Sequence, residues 1–234
     1  MSKLARKKSA IPLPTESSLK PRKSPFIWVT WLTKLLAGED QCEWATWFKS
    51  HHRFDKLSGD GGFDQSKWQM DHAELIASTK EDLIGSEYVV TVENQNGFSF
   101  RGQKATLSGK PDLIAVREDE NLIIDTKTGA PRLSHDLQVM IYMWAVPLAT
   151  PRFRGMQFDG MVVYKDTSRR IKASRIDAKF VDRVTSLIKQ VAAAECPAKA
   201  PSFGECRFCP IPSVHCPERI EVSEANMDCV TNLF

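Results

Sequence analysis

Apolar side chains in the first part of this chain recur at helical spacing. Trp28, Trp31, Leu32, Leu35 and Leu36 share one side of a 3.6-residue turn, Gly38 interrupts, and Trp44, Trp47 and Phe48 resume the stripe. The pattern predicts two helices across residues 26–52, with Cys42 near the start of the second. An aromatic stripe of this kind is core rather than a platform for bases, so these tryptophans carry no expected ligand role. Residues 59–62 read as a loop and residues 66–83 as a third helix.

Beyond that point the period shortens. Residues 88–92 read as a strand, 94–97 as a turn and 98–107 as its hairpin partner. Residues 113–116 and 122–125 are apolar and branched, and the acidic turn 118–121 between them suits a second hairpin, which Gly129 and Pro131 close. Ser134 is placed to cap a helix running to about Val146, which Pro147 would end. Residues 158–164 and 169–176 are two more strands, and Asp177 caps a last helix before Cys196. This order predicts an α/β fold, a mixed central sheet flanked by helices, without internal repeats.

Composition adds limits. The 234 residues, 42% hydrophobic and 26% charged, suffice for one substantial core. Lys3, Arg6, Lys7, Lys8, Lys20, Arg22 and Lys23 stand among prolines and serines, so residues 1–24 read as a flexible basic tail, either a solvated leader or a tether for nucleic acid. Residues 25–234 read as one domain: a helical segment 25–84, a sheet-bearing core 85–195, a cysteine segment 196–220 and a tail 221–234. The net charge of +3 says little about partners. No apolar run is long enough to span a bilayer and no cleavable leader is legible, so a cytoplasmic protein without membrane contact is expected.

The chemistry concentrates in two short segments. Asp112 follows Gly109-Lys110-Pro111, and Asp125-Thr126-Lys127 ends the apolar run Leu122-Ile123-Ile124. Alternation along a strand points Asp125 and Lys127 to the same face. A carboxylate at the end of a buried strand is costly unless something binds it, and a cation explains the placement. Two carboxylates and the Thr126 carbonyl suit Mg²⁺ or Mn²⁺, while Lys127 would position water and offset phosphate charge. Hydrolysis of a phosphodiester needs these functions together.

Three ordered segments, Gly109 to Asp112, Asp125 to Lys127, and Gln138 with Tyr142 four residues on, resemble the RecB-like branch of the PD-(D/E)XK nuclease superfamily. The resemblance implies a restriction-endonuclease-like core, His72 as a further metal ligand whose nitrogen suits Mn²⁺, and Gln138 and Tyr142 on a helix face that orients the scissile strand.

Cys206-x2-Cys209-x6-Cys216 lies in a segment studded with prolines, which has little means of folding unless a metal organises it. Spacing leaves the fourth ligand open among Cys42, Cys196, Cys229 and His215, and the group open between zinc and an iron-sulfur cluster. Cys196 and Cys229 also suit simple packing. In the iron-sulfur members of the branch, CRISPR-associated adaptation nucleases and nuclease domains of helicase-nucleases, one cysteine precedes the nuclease motifs and three follow. That resemblance implies a [4Fe-4S] cluster on Cys42, Cys206, Cys209 and Cys216. The expected function is a metal-dependent deoxyribonuclease, an exonuclease on single-stranded DNA or ends in repair, recombination or CRISPR adaptation. Its partners would be DNA and a helicase, recombination or CRISPR adaptation protein. The alternative is a non-catalytic DNA-binding or recombination-accessory module. Two converging acids count against that alternative, because DNA binding alone needs positive charge.

Overall fold

The computed structural model describes residues 19–57 and 64–221. The predicted loop at 59–62, most of the basic tail, and Cys229 lie outside them. Five strands form the main sheet: β4 (Val89–Val92), β7 (Leu113–Val116), β8 (Asn121–Lys127), β9 (Asp159–Tyr164) and β10 (Ser168–Ile171), in the order β10-β9-β8-β7-β4. The β8–β9 pair is parallel and the others are antiparallel. A three-stranded sheet places β6 (Thr106–Gly109) between β2 (Phe26–Trp28), parallel to it, and β5 (Phe98–Arg101), antiparallel. Two short strands, β1 (Lys20–Pro21) and β3 (His52–Arg53), pair with each other, so the span read as a tail joins the fold at its end.

The long helix α4 (Leu133–Ala149) is the axis of the core. It packs against β8 and β9 on one side and against β5 and α1 (Val29–Ala37) on the other. A helix with sheet on one side and helix on the other needs apolar residues nearly all round, and its Val139, Ile141, Ala145 and Val146 are fully buried. Two glycines make this closeness possible. A Cβ on Gly160 of β9 would sit 2.4 Å from Val139 Cγ1 and 2.6 Å from Met143 Sδ, and one on Gly109 of β6 would sit 2.6 Å from Tyr142 Cε1.

The remaining helices are α2 (Glu43–His51), α3 (Gln65–Gly85), α5 (Ala178–Val191) and the short α6 (Phe203–Cys206). Asp177 caps α5 as expected, its Oδ1 accepting from Phe180 N at 2.7 Å, and Phe180, Val184, Leu187 and Val191 form the buried stripe. Among the described residues no helix is long and apolar enough to cross a membrane.

Several local expectations are corrected. Residues 98–107 do not pair with 88–92. The chain divides near Gly102, whose N–H donates to Ala105 O at 2.9 Å, into β5 and β6, which pair with each other, while β4 pairs with β7. The physical cause is the connection after β4. It is a 3₁₀ turn, Glu93–Gln95, followed by buried Asn96, whose amide donates to Thr91 O at 2.9 Å and to Pro111 O and Asp112 O at 3.3 Å. That side chain ties the turn to the start of β7 and sends the following strand into the other sheet. The first predicted helix is preceded by β2, because Phe26–Trp28 finds a backbone partner in β6.

Ser134 lies inside α4 rather than at its cap. Its N–H and hydroxyl both donate to the Glu39 carboxylate, at 3.0 and 2.8 Å, so the helix start is capped from a distant loop. Pro147 does not end α4. It lacks the N–H for one intrahelical bond, but buried Ala145 and Val146 hold the last turn in place through Ala149.

Candidate active site

The β7–β8 ladder sets Leu113 opposite Ile124, which makes Asp112 and Asp125 neighbours at the same end of the sheet. From there the side chains divide into two linked groups.

The first group lies toward α3. Asp112 Oδ2 accepts from Thr126 N at 2.7 Å and from Thr126 Oγ1 at 2.8 Å. His72, on α3, places Nε2 3.7 Å from Asp112 Oδ1 and Nδ1 3.2 Å from Thr126 Oγ1. Trp68, one turn earlier, stacks on the His72 ring at 5.2 Å with planes 7° apart, which fixes the imidazole plane. Burial pushes the Asp112 carboxyl up, but the nearby His72 imidazole and the hydrogen bonds from Thr126 prevail and its pKa is lowered. The same contact with Asp112 raises His72 above the ordinary histidine value.

Glu93 belongs to this group and was missed by sequence reasoning. One donor atom each from His72, Glu93 and Asp112 lie within 4.8 Å of one another. Glu93 sits in the 3₁₀ turn with φ of 22°, a backbone conformation that L residues avoid, and its N–H donates to Asp112 O at 2.8 Å. Lys110 stands 3.7 Å from Glu93 Oε1. No spacing rule reveals Glu93, because only that turn carries it to Asp112.

The second group lies toward α4. Asp125 is 1% exposed. Its Oδ1 accepts from Gln138 Nε2 at 3.0 Å, and the same nitrogen is 3.1 Å from Tyr142 Oη. Lys127 Nζ lies 2.5 Å from Asp125 Oδ2, a tight charge-assisted contact, and among the described residues that oxygen has no other partner. Burial pushes the Asp125 carboxyl up to about 6, with the Lys127 charge opposing. His135, also absent from the sequence expectation, is driven down to about 4, first by burial and then by the Lys127 charge, and its Nδ1 is 3.1 Å from Tyr164 Oη. The i, i+4 pair on α4 shares one face, as its spacing predicted, with Gln138 bonded to Asp125 and Tyr142 bonded to Gln138.

This donor set fits a hard divalent cation: His72, Glu93 and Asp112 bring one donor atom each within 4.8 Å of the others, and the acids are hard oxygen donors.

The cysteines gather elsewhere. Cys42, at the N-cap position of α2, lines a cavity of about 190 Å³ together with Cys206, Cys209 and Cys216. Cys196 is exposed and does not line it. The His215 ring packs 5.5 Å from Phe48 and 6.2 Å from Phe54, not on the cavity wall. Burial raises the thiols of Cys209 and Cys216. Protein contacts join the two chain ends here: the Glu205 carboxylate accepts the N–H groups of Gln41 and Cys42, each at 3.0 Å, and Trp47 Nε1 donates to Ala193 O at 2.8 Å. Arg219 Nη1 donates to Cys209 O and Ile211 O at 2.8 and 3.0 Å.

No curated protein matches this chain. A solved structure described as "Crystal structure of SSO0001" is similar at 18% identity and a TM-score of 0.45, covering 86% of this chain and 89% of that one. The family model for the PD-(D/E)XK nuclease superfamily matches residues 35–217, a span that takes in both acids, Lys127, α4 and the four cysteines of the cavity. The chain belongs to the PD-(D/E)XK nuclease superfamily.

Proposed function

We propose that this protein is a metal-dependent deoxyribonuclease of the RecB-like branch, acting on single-stranded DNA or DNA ends. The observation that carries the reading is Asp125: a buried carboxylate with one oxygen met only by the Lys127 charge, beside Asp112 at the end of the same ladder. His72, Asp112, Asp125 and the Thr126 carbonyl would hold the cation, with Glu93 joining them. A bound Mg²⁺ or Mn²⁺ supplies charge for the phosphoryl oxygens and acidifies water.

The chain's own residues do the rest. Thr126 N and Oγ1 hold Asp112 Oδ2, leaving Oδ1 turned toward His72. Gln138 fixes Asp125 through Oδ1 and hands its other contact to Tyr142. Lys127, partly exposed, is placed to orient the attacking water and to offset charge on the scissile phosphate. His135, neutral beside Lys127, adds no competing positive charge.

Cleavage of labelled single- and double-stranded DNA with Mn²⁺, Mg²⁺ or chelator tests the reading, and free against blocked ends tests the need for a terminus. DNA binding without cleavage under every metal condition would sink it. Glu93→Gln keeps the side-chain shape and removes the charge. Mn²⁺ affinity by calorimetry should fall about 10-fold, and an unchanged affinity removes Glu93 from the shell.

At the second site we propose a [4Fe-4S] cluster on Cys42, Cys206, Cys209 and Cys216. A zinc ion with Zn–S bonds of about 2.3 Å would draw the sulfurs to about 3.8 Å of one another. Among the described residues no three cysteine sulfurs lie within 4.8 Å of each other, and the cavity they line has the volume of about six waters. A multi-atom group suits that space better than one ion. Cys206→Ala in anaerobically prepared protein should lose iron and sulfide and lower the melting temperature before it alters the nuclease site. Wild-type protein containing zinc alone would defeat the cluster.

A further inference from the structure

Four cations line the cysteine cavity: Lys34, Lys49, Lys199 and Arg219. Three have evident partners. Lys34 is 3.8 Å from Asp40, Lys199 is 2.9 Å from Glu218, and Arg219 donates to two backbone carbonyls. Lys49 differs. It projects from α2 with its ammonium 5.4 Å from the Trp31 ring centroid, and among the described residues it has no carboxylate in ion-pair contact and no side-chain hydrogen bond. Burial lowers its pKa, with the Cys209 sulfur first among the groups that oppose the shift.

A partly buried ammonium with only an aromatic ring beside it is an expensive feature. An anion in the cavity offsets that cost. The two acids on the wall offset little of it: the Glu205 carboxylate is taken by the Gln41 and Cys42 amides, and Asp40, which attracts Lys49 from beyond ion-pair contact, lies nearer to Lys34 at 3.8 Å. Four thiolates carrying a metal centre leave net negative charge, which low-dielectric surroundings make costly unless a cation stands close.

We propose that Lys49 is the built-in counter-cation of an anionic metal–thiolate centre in this cavity, a positioning residue that retains the centre and raises its reduction potential. The inference rests on the reading of the cysteines given above. It requires that the charge of Lys49, rather than its bulk, be what matters. Adding an electron makes the centre more negative, so a nearby positive charge favours the reduced state. Removing that charge therefore lowers the potential.

The test uses full-length wild-type, Lys49→Met, Lys49→Gln and Lys49→Arg proteins, prepared anaerobically and assayed for iron, sulfide and zinc. Metal release to a chelator is followed by absorbance, and the midpoint potential by redox titration. Lys49→Met and Lys49→Gln should release metal several-fold faster than wild type and titrate at lower potential, while Lys49→Arg stays near wild type. Lys49→Gln keeps the test decisive if Lys49→Met fails to fold. Equal release and equal potential in all four proteins overturn the role of Lys49. Arg failing as badly as Met or Gln also overturns it, by assigning Lys49 to packing. Wild-type protein free of metal defeats the reading of the cysteines itself and leaves the nuclease site to be judged by its own assay.

Discussion

Asp112→Asn should reduce DNA cleavage by about 10³-fold or more and leave the melting temperature of the metal-free protein within a few degrees of wild type. The substitution is chosen because the hydrogen bonds survive it. An asparagine carbonyl can take the place of Asp112 Oδ2 and accept from Thr126 N and Thr126 Oγ1. Its amide then faces His72 Nε2, which can accept while Nδ1 stays with Thr126 Oγ1. What is lost is the charge that joins Glu93 and His72 in the compact ligand set. Initial rates on end-labelled DNA in Mn²⁺, with thermal melts on the same samples, separate the two effects. Cleavage within 10-fold of wild type would remove Asp112 from the metal shell. Low cleavage with a collapsed melting temperature would show a fold defect instead.

Lys127→Ala should act on both chemistry and stability, and the two respond differently to metal. Cleavage should fall by about 10² to 10³-fold, the range for losing one preorganised group that stabilises developing charge. In metal-free buffer the variant leaves Asp125 buried without countercharge. Breaking a buried pair costs about 3–5 kcal/mol, and partial exposure of Lys127 brings the expected loss to about 2–3 kcal/mol.

The pH dependence has a definite sign. Burial raises the Asp125 carboxyl from 3.8 to about 6, so the folded chain holds a proton there that the unfolded chain releases earlier. In wild type the cost of burying this carboxylate sets in above about pH 4 and is complete above about pH 6. Removing Lys127, whose charge opposes the rise, moves the folded value higher still, so the extra loss in the variant opens only above about pH 6. The gap between Lys127→Ala and wild type should therefore be wider at pH 8 than at pH 5, and Mn²⁺ should narrow it at pH 8 by meeting the carboxylate. A gap that ignores pH and metal would detach Asp125 from the cation.

The β7–β8 hairpin was legible because two branched apolar runs flank an acidic turn, a local signal that needs no distant partner. Helical spacing put Gln138 and Tyr142 on one face, but only the resemblance to the nuclease branch set that face toward the acids. Residues 98–107 misled because alternation states that a strand exists but not which strand it joins, and the Asn96 side chain decides that by bonding to Pro111 and Asp112. Glu93 escaped because its place depends on one turn with φ of 22°. Lys49 escaped because a lysine on an amphipathic helix reads as solvent-facing, and the cavity that encloses it is closed by residues from the far end of the chain. Ser134 and Pro147 are cases where tertiary packing outweighs the local helix signals.

The Glu205 latch on the Cys42 amide bears on how the protein is made. Its two ends are 163 residues apart in sequence. At ribosomal rates of roughly 5–20 residues per second, Cys42 emerges about 8–30 seconds before the carboxylate that will hold it. Until then the first helices present Cys42 with no wall opposite and Lys49 with no cavity around it. If the cysteines hold the proposed centre, its assembly follows synthesis of the segment that carries Cys206, Cys209 and Cys216. A message truncated between Tyr142 and Cys206 would yield a polypeptide that carries every nuclease motif and lacks three of the four cysteines proposed to hold the centre.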